Sequence, residues 1–167
     1  MESYSRAYLQ LLVSAVSGGH AEAFVFATRL TRLTRALRAS NPDLALERAA
    51  RAAPDWSGGT RIGEAVRAFN DGYGRRGLAR GAVVVIISDG WETGDATLLE
   101  REMSRLRRLA YQVIWINPRR ARESYRPLTA GIMAAGPYVD RFLSGHSLDA
   151  MHEVIEAISS ARRDRRY

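Results

Sequence analysis

The sequence predicts an α/β fold, with a doubly wound, mostly parallel sheet and one antiparallel edge strand. Three observations lead to this prediction. Apolar segments with helical spacing alternate along the chain with short runs rich in β-branched residues. One such run, Ala82–Ser88, is apolar on both sides, which is typical of a buried central strand with helices above and below. The 167 residues contain no linker or repeat, so we expect a single domain over 1–167 that ends in a basic tail, 162–167.

The elements before this strand follow from spacing and capping. Residues 3–17 place apolar side chains on one helical face, and a Gly-Gly pair then ends the helix. Glu22–Thr28 predicts a strand, and Arg29–Leu37 alternates Arg, Leu and Thr like a neighbouring edge strand. Residues 41–53 begin with Asn-Pro, a cap followed by a first helical turn.

The later elements continue the alternation. Thr60 opens a helix that follows a Gly-rich loop. Thr97–Leu109 predicts a helix with a capping box between Thr97 and Glu100. Tyr111–Asn117 predicts a strand whose Trp115 belongs to the core. The last predicted elements are a short helix, a short strand and a final helix, at 128–135, 138–142 and 147–161.

Composition narrows the class of protein. The apolar fraction of 46% fits a soluble globular protein, and no apolar run is long enough to cross a membrane. The lack of Cys excludes disulfides and thiolate metal sites and is compatible with a cytoplasmic location. The net charge is +7, but all 25 basic residues are Arg and are scattered, so coding bias explains the charge better than a nucleic-acid partner does.

Two loops carry the candidate chemistry. DWSGGT runs into a helix, and SDGWETGD leaves the Ala82–Ser88 strand. Ligands of such sheets bind at the carboxyl ends of the strands. Thr and Asp oxygens suit Mg²⁺, Mn²⁺ or Ca²⁺, so Thr60 and Asp89 are the candidate metal ligands, and no catalytic residue is predicted. The other residues of these loops that we assign to the site are Asp55, Trp56, Ser57, Gly58, Gly59, Ser88, Gly90 and Trp91.

Ordinary structural roles compete with this interpretation. Asp89-Gly90 is a common turn sequence, and Thr60 is a common helix N-cap. Trp56 and Trp91 suit a protein-binding rim, but loop Trp side chains also pack locally, and the two alternatives carry equal weight. Glu92 and Asp95 either tune the site or simply begin the next turn and helix.

The combination of these loops resembles the von Willebrand factor A (VWA) fold, a Rossmann-like fold, in its CoxE-like branch. The segments that carry the resemblance are WSGGTRIGEAVRAFN, IISDGWETGD, FVFATRLTRLTRALR, VIWINPRR and GIMAAGPYVDRFLSGHSL. In that family a metal-ion-dependent adhesion site (MIDAS) takes a DxSxS motif from the first strand, a Thr from a second loop and an Asp from a third. The resemblance assigns Thr60 and Asp89 to the second and third positions.

The sequence departs from the family in lacking DxSxS. The resemblance places Met1 one residue past that motif, so the domain is expected to be N-terminally truncated and to lack its first strand. Two explanations stay open: a start assigned at an internal Met, or a protein without this strand. We therefore expect Mg²⁺ binding to be weak or absent in this chain and to be restored by a strand that carries DxSxS.

The resemblance implies a bacterial, non-enzymatic domain that binds a partner's Asp or Glu carboxylate through the metal. The partner it implies is a MoxR-type AAA+ ATPase, in the maturation of carbon monoxide dehydrogenase or a related enzyme. Two alternatives stay open: a metal-dependent phosphohydrolase that uses Asp89, and an Arg-rich nucleic-acid-binding protein, whose affinity would fall steeply with salt.

Overall fold

The computed structural model describes residues 2–18, 21–26, 29–38, 42–52, 60–118, 129–145, 152–153 and 155–160. Every helix among these residues falls short of the length and hydrophobicity needed to cross a bilayer. The chain divides into two compact units, Met1–Thr60 and Arg61–Tyr167. The single domain over 1–167 stays a prediction, and the basic tail lies outside the described residues.

The first unit combines three helices with a small antiparallel sheet. Its core consists of small and branched apolar side chains, namely Val13, Val16, Ala23, Leu33, Leu37, Ala45 and Ala49. The two strands pair with Val25 opposite Thr31. The elements are α1 (Glu2–Ser17), β1 (Phe24–Phe26), β2 (Leu30–Arg32), α2 (Thr34–Leu37) and α3 (Pro42–Ala52).

The predicted strand Arg29–Leu37 is wrong in its second half, which forms α2. Leu33 and Leu37 are fully buried, and their i, i+4 spacing puts both side chains on one helical face. The Thr34 hydroxyl accepts the Ala23 N–H at 3.0 Å, so a side chain takes over the pairing that a longer strand would have supplied. The i, i+4 spacing of the two Leu residues therefore determines that this segment is helical, although its alternation of Arg, Leu and Thr suggests a strand.

The second unit is built on a parallel sheet in the order β3-β4-β5. Val85 lies opposite Ile114, and Trp115 lies opposite Phe142. The helical segments between the strands include a π-helix. The elements are α4 (Ile62–Phe69), the π-helix (Asn70–Leu78), β3 (Val83–Ile87), α5 (Ala96–Leu109), β4 (Gln112–Asn117), α6 (Ala130–Ala135), a short 3₁₀ turn (Gly136–Tyr138) and β5 (Arg141–Ser144). This parallel sheet and the small antiparallel sheet confirm the α/β class.

The expectation that β3 is the buried central strand is wrong. β4 takes that position, because residues 113–117 are all buried and strands pair with β4 on both sides. In β3 only Ile86 is buried, and its other residues are half-exposed. Among the described residues β4 is the only strand paired with β3, so β3 is an edge strand with the composition of a central one.

Local details correct three further predictions. Asp95, not Thr97, caps α5: its carboxylate accepts the Thr97 N–H at 2.8 Å. The strand expected at 138–142 begins at Arg141, because residues 136–138 form the 3₁₀ turn. In the last helix, described at 152–153 and 155–160, apolar spacing predicts that Ile155 is buried, but Ile155 is exposed and Ala157 is buried instead.

Candidate functional site

The loop Ser88–Asp95 begins where β3 ends, at the carboxyl edge of the parallel sheet. The Ser88 N–H donates to the Ile116 carbonyl at 3.0 Å, which continues the β3–β4 ladder by one residue. The Trp115 indole Nε1 donates to the Ser88 carbonyl at 2.8 Å. Trp115 is fully buried, so the prediction that it belongs to the core is confirmed. The buried Trp115 side chain therefore also holds Ser88, the first residue of the loop, in place.

Short polar side chains shape the tip of the loop. The Ser88 hydroxyl accepts the Gly90 N–H at 3.1 Å, and the Asp89 Oδ1 atom accepts the Trp91 N–H at 3.2 Å. Such bonds to the backbone two residues ahead form Asx and Ser turns. The structure therefore agrees with the turn interpretation of Asp89-Gly90. It also fixes the half-buried Asp89 carboxylate at the end of β3.

The other two carboxylates of the loop hold backbone N–H groups. Glu92 accepts the Gly63 N–H through Oε2 at 2.8 Å and the Gly94 N–H through Oε1 at 2.7 Å. Gly63 lies in the first turn of α4, where N–H groups lack helical partners and the helix dipole favours an anion. Asp95 caps α5 in the same way. Glu92 and Asp95 thus join the loop to the N-termini of α4 and α5. The alternative that they begin the next turn and helix fits the Glu92–Gly94 bond and the Asp95 cap, whereas the bond to Gly63 was not predicted.

Two glycines bring the loop against α6. Gly90 has φ +77°, and a Cβ atom there would lie 2.3 Å from Ile132 Cγ1. A Cβ atom at Gly131 would lie 2.4 Å from the Gly90 carbonyl oxygen. Neither position accepts a larger residue without movement of the loop. This contact was missed from the sequence, because the two glycines lie far apart along the chain.

Trp91 is the exposed side chain of this loop, with 66% of its surface accessible. This exposure favours a surface role for Trp91 over local packing. Met133 on α6, the helix that contacts Gly90, is 63% exposed. The carboxyl edge of the second unit therefore presents large apolar side chains beside a carboxylate-bearing turn, which is a composition found in protein-binding surfaces.

The first predicted loop is described only at its end. Asp55, Trp56, Ser57, Gly58 and Gly59 lie outside the described residues. Thr60 closes the first unit and Asp89 lies in the second, so each is placed within its own unit. The prediction that Thr60 opens a helix is wrong, because α4 begins at Ile62 with Arg61 in the N-cap position. Thr60 is therefore not the N-cap of α4, and the alternative that gave it this structural role is also wrong.

Within the parts of the chain that the structure describes, no three His, Asp or Glu side chains come together as a metal cluster. All three carboxylates of the loop accept backbone N–H groups: Asp89 from Trp91, Glu92 from Gly63 and Gly94, and Asp95 from Thr97.

The sequence matches a known protein family. The family model described as VWA domain containing CoxE-like protein matches residues 1–151, most of the chain. No curated protein matches the sequence, and no solved structure matches it either. The matched range includes both candidate ligands and both predicted loops.

Proposed function

Since the chain belongs to the family of VWA domain containing CoxE-like proteins, we propose that it is a non-enzymatic domain that binds another protein at the carboxyl edge of β3. VWA domains generally mediate protein–protein interaction. The observation that carries the proposal is the loop Ser88–Asp95, where a half-buried Asp89 stands next to an exposed Trp91. Hydrogen bonds hold the backbone between the two, so the surface is preorganised for a partner.

The proposed partner is a MoxR-type AAA+ ATPase, and the proposed setting is the maturation of carbon monoxide dehydrogenase or a related enzyme in a bacterial cytoplasm. Family membership supports this assignment. The loop chemistry supports binding over catalysis, because a phosphohydrolase that uses Asp89 needs a second acid, and Glu92 and Asp95 are bound to helix N-termini. Ion pairs such as Arg107–Asp140 and Arg32–Glu22 engage individual Arg side chains within the protein, but they leave the net charge at +7, so the salt dependence of any DNA or RNA binding tests the nucleic-acid alternative.

Replacing Trp91 by Ala is expected to weaken binding of a purified MoxR-type ATPase at least about tenfold, because exposed aromatic side chains dominate such interfaces. Titration calorimetry measures the affinity. The matched control is Tyr111→Ala, since Tyr111 is an exposed aromatic residue at the opposite, amino end of the sheet. We expect the control to bind within about twofold of the original chain. Equal losses in the two variants, or no loss in Trp91→Ala, would contradict the proposed surface.

The proposed metal dependence is tested separately. The chain alone is expected to bind Mg²⁺ weakly or not at all, because it lacks DxSxS and no three acids or His of its described residues come together. The same chain extended at Met1 by an apolar strand that ends in DxSxS is expected to bind Mg²⁺ at least about tenfold more tightly. Asp89→Asn in the extended chain is expected to remove the gain. Equal Mg²⁺ affinity of the original and extended chains, measured by calorimetry, would show that Thr60 and Asp89 are not part of a three-part site.

A further inference from the structure

Many arginines of the second unit have a carboxylate partner, but three exposed ones do not. Arg76, Arg80 and Arg108 are exposed, and none of them forms an ion pair with a carboxylate of the described residues. Their charges are therefore available to a ligand. The pairs that engage the other arginines are Arg61–Glu64, Arg67–Asp71, Arg101–Glu102, Arg105–Asp71 and Arg107–Asp140.

Backbone hydrogen bonds bring Arg76, Arg80 and Arg108 together at the amino edge of the parallel sheet. The Gly77 carbonyl accepts the Arg80 N–H at 3.2 Å, so Arg76, the residue before Gly77, lies within one turn of Arg80. The Gly81 N–H donates to the Leu109 carbonyl at 2.9 Å. Arg80 and Arg108 each precede one of these two bonded residues, so they lie on adjoining segments. We call Arg76, Arg80 and Arg108 the amino patch.

The neighbouring side chains leave the charge of the amino patch in place. Asp140, an acid at the same edge, lies 2.8 Å from the Arg107 guanidinium and accepts the Val113 N–H at 2.7 Å. The Arg108 Nη1 atom donates to the Ser104 hydroxyl at 2.8 Å. This neutral partner orients the Arg108 guanidinium without compensating its charge.

Helix dipoles account for part of this arrangement only. Arg76 and Arg108 lie in the last turns of the π-helix and of α5, where the partial negative charge of a helix C-terminus favours a cation. That partial charge is about half an elementary charge, so each guanidinium keeps a net positive charge beside it. Arg80 lies in a turn after the π-helix, outside both helices. Stabilisation of helix ends therefore does not explain why three cations lie together.

We infer that the amino patch binds an acidic segment of another protein, one that presents two or three carboxylates close together. Guanidinium groups bind carboxylates through charge-assisted and often paired hydrogen bonds. Three cations at the ends of adjoining elements match a short acidic segment, whereas a nucleic acid is commonly held by about 6–10 phosphate contacts. The inference does not depend on the proposed function, because the amino patch and the loop Ser88–Asp95 lie at opposite ends of the sheet.

The test follows binding of a fluorescent peptide of eight glutamates by anisotropy, at low salt and without added metal. Replacing Arg80 and Arg108 together by Gln is expected to weaken peptide binding at least about tenfold, because two charge-assisted contacts are lost. The matched control is Arg61→Gln with Arg67→Gln, which removes the same charge from two exposed arginines that already pair with acids. The control should bind within about twofold of the original chain. Equal losses in the two variants would show an effect of net charge alone and would overturn the inference.

Two other anionic probes separate the possible ligand classes. An eight-nucleotide single-stranded DNA and vesicles of phosphatidylglycerol are expected to bind more weakly than the peptide. Tighter binding of either probe, lost when Arg80 and Arg108 are replaced, would assign the amino patch to that ligand and reject an acidic protein segment. A chain that does not bind the peptide would reject it as well.

Nuclear magnetic resonance of the Arg side chains locates the contact without any substitution. The Nε–Hε signals of Arg76, Arg80 and Arg108 should shift as the glutamate peptide is added, while that of Arg67 should stay in place. Shifts spread equally over all exposed arginines would mean that the peptide has no defined site. Thermal unfolding of the Arg80 and Arg108 variant at the temperature of the original chain shows that a loss of binding is not a loss of fold.

Discussion

Glu102→Ala is expected to lower the free energy of unfolding by about 1–3 kcal/mol, because it removes a buried acceptor from Asn70 and an ion-pair partner from Arg105. The Glu102 side chain is only 1% exposed. Its Oε2 atom lies 2.6 Å from the Arg105 guanidinium and accepts from Asn70 Nδ2 at 3.1 Å. Its Oε1 atom lies 3.3 Å from Arg101. Removing the carboxylate leaves the fully buried Asn70 with fewer acceptors, while Arg105 keeps its ion pair with Asp71.

Chemical denaturation followed by Trp fluorescence measures this loss. The matched control is Glu100→Ala, an exposed Glu on the same helix, which should change the free energy of unfolding by less than about 0.5 kcal/mol. A loss below about 1 kcal/mol for Glu102→Ala would mean that Arg105 and Asn70 find other partners. Arg105 already has one, since its hydrogen bond to Asp71 lowers the pKa of Asp71 and raises that of Arg105.

This network illustrates what sequence patterns leave out. Glu102 lies on α5 beside Leu99, Met103 and Leu106, whose apolar spacing correctly predicts a buried helical face. From the sequence alone, a Glu at this position is expected to be exposed, because the partners that satisfy its carboxylate are not evident. Asn70 contacts it from a π-helix 32 positions earlier in the chain. Local spacing predicts the helix, but it does not predict a buried ion pair assembled from distant segments.

Strands β3 and β4 of the second unit also differ in a way that their own residues do not predict. β4 and β3 have similar apolar sequences, so composition predicts a buried strand for both. β4 is buried because β3 and β5 flank it, whereas β3 has β4 on one side only among the described strands. Strand order depends on which segments are available to pair, and this information does not lie in the strand's own residues.

For the candidate site, the sequence predicted the loop and its position at the carboxyl edge of the sheet. Asp89 lies at the end of β3, as expected from the rule for parallel sheets. The contacts that hold the loop were not predicted. Glu92 to Gly63 spans 29 positions, and Gly90 to Gly131 joins a loop to a later helix. The residues next to Gly90 and Gly131 in the sequence do not show which distant segment packs against each glycine.

The Gly90–Gly131 contact leads to the second large expected effect. Gly131→Ala puts a Cβ atom 2.4 Å from the Gly90 carbonyl oxygen, a backbone atom that moves only with its loop. Overpacking of this kind costs about 1–3 kcal/mol or more, and the better helix propensity of Ala returns somewhat less than 1 kcal/mol. We expect a net loss of about 2 kcal/mol in the free energy of unfolding.

The matched control for Gly131→Ala is Gly72→Ala in the π-helix, where a Cβ atom would meet nothing within 4 Å. This control should be neutral or stabilising by up to about 1 kcal/mol, because Ala reduces the entropy of the unfolded chain. Gly131→Ala also displaces the Asp89–Trp91 turn, so it should weaken partner binding although residue 131 need not touch the partner. Loss of stability with unchanged partner affinity would show that the Gly90–Gly131 contact supports the fold alone. Loss of both would show that this contact positions the binding loop.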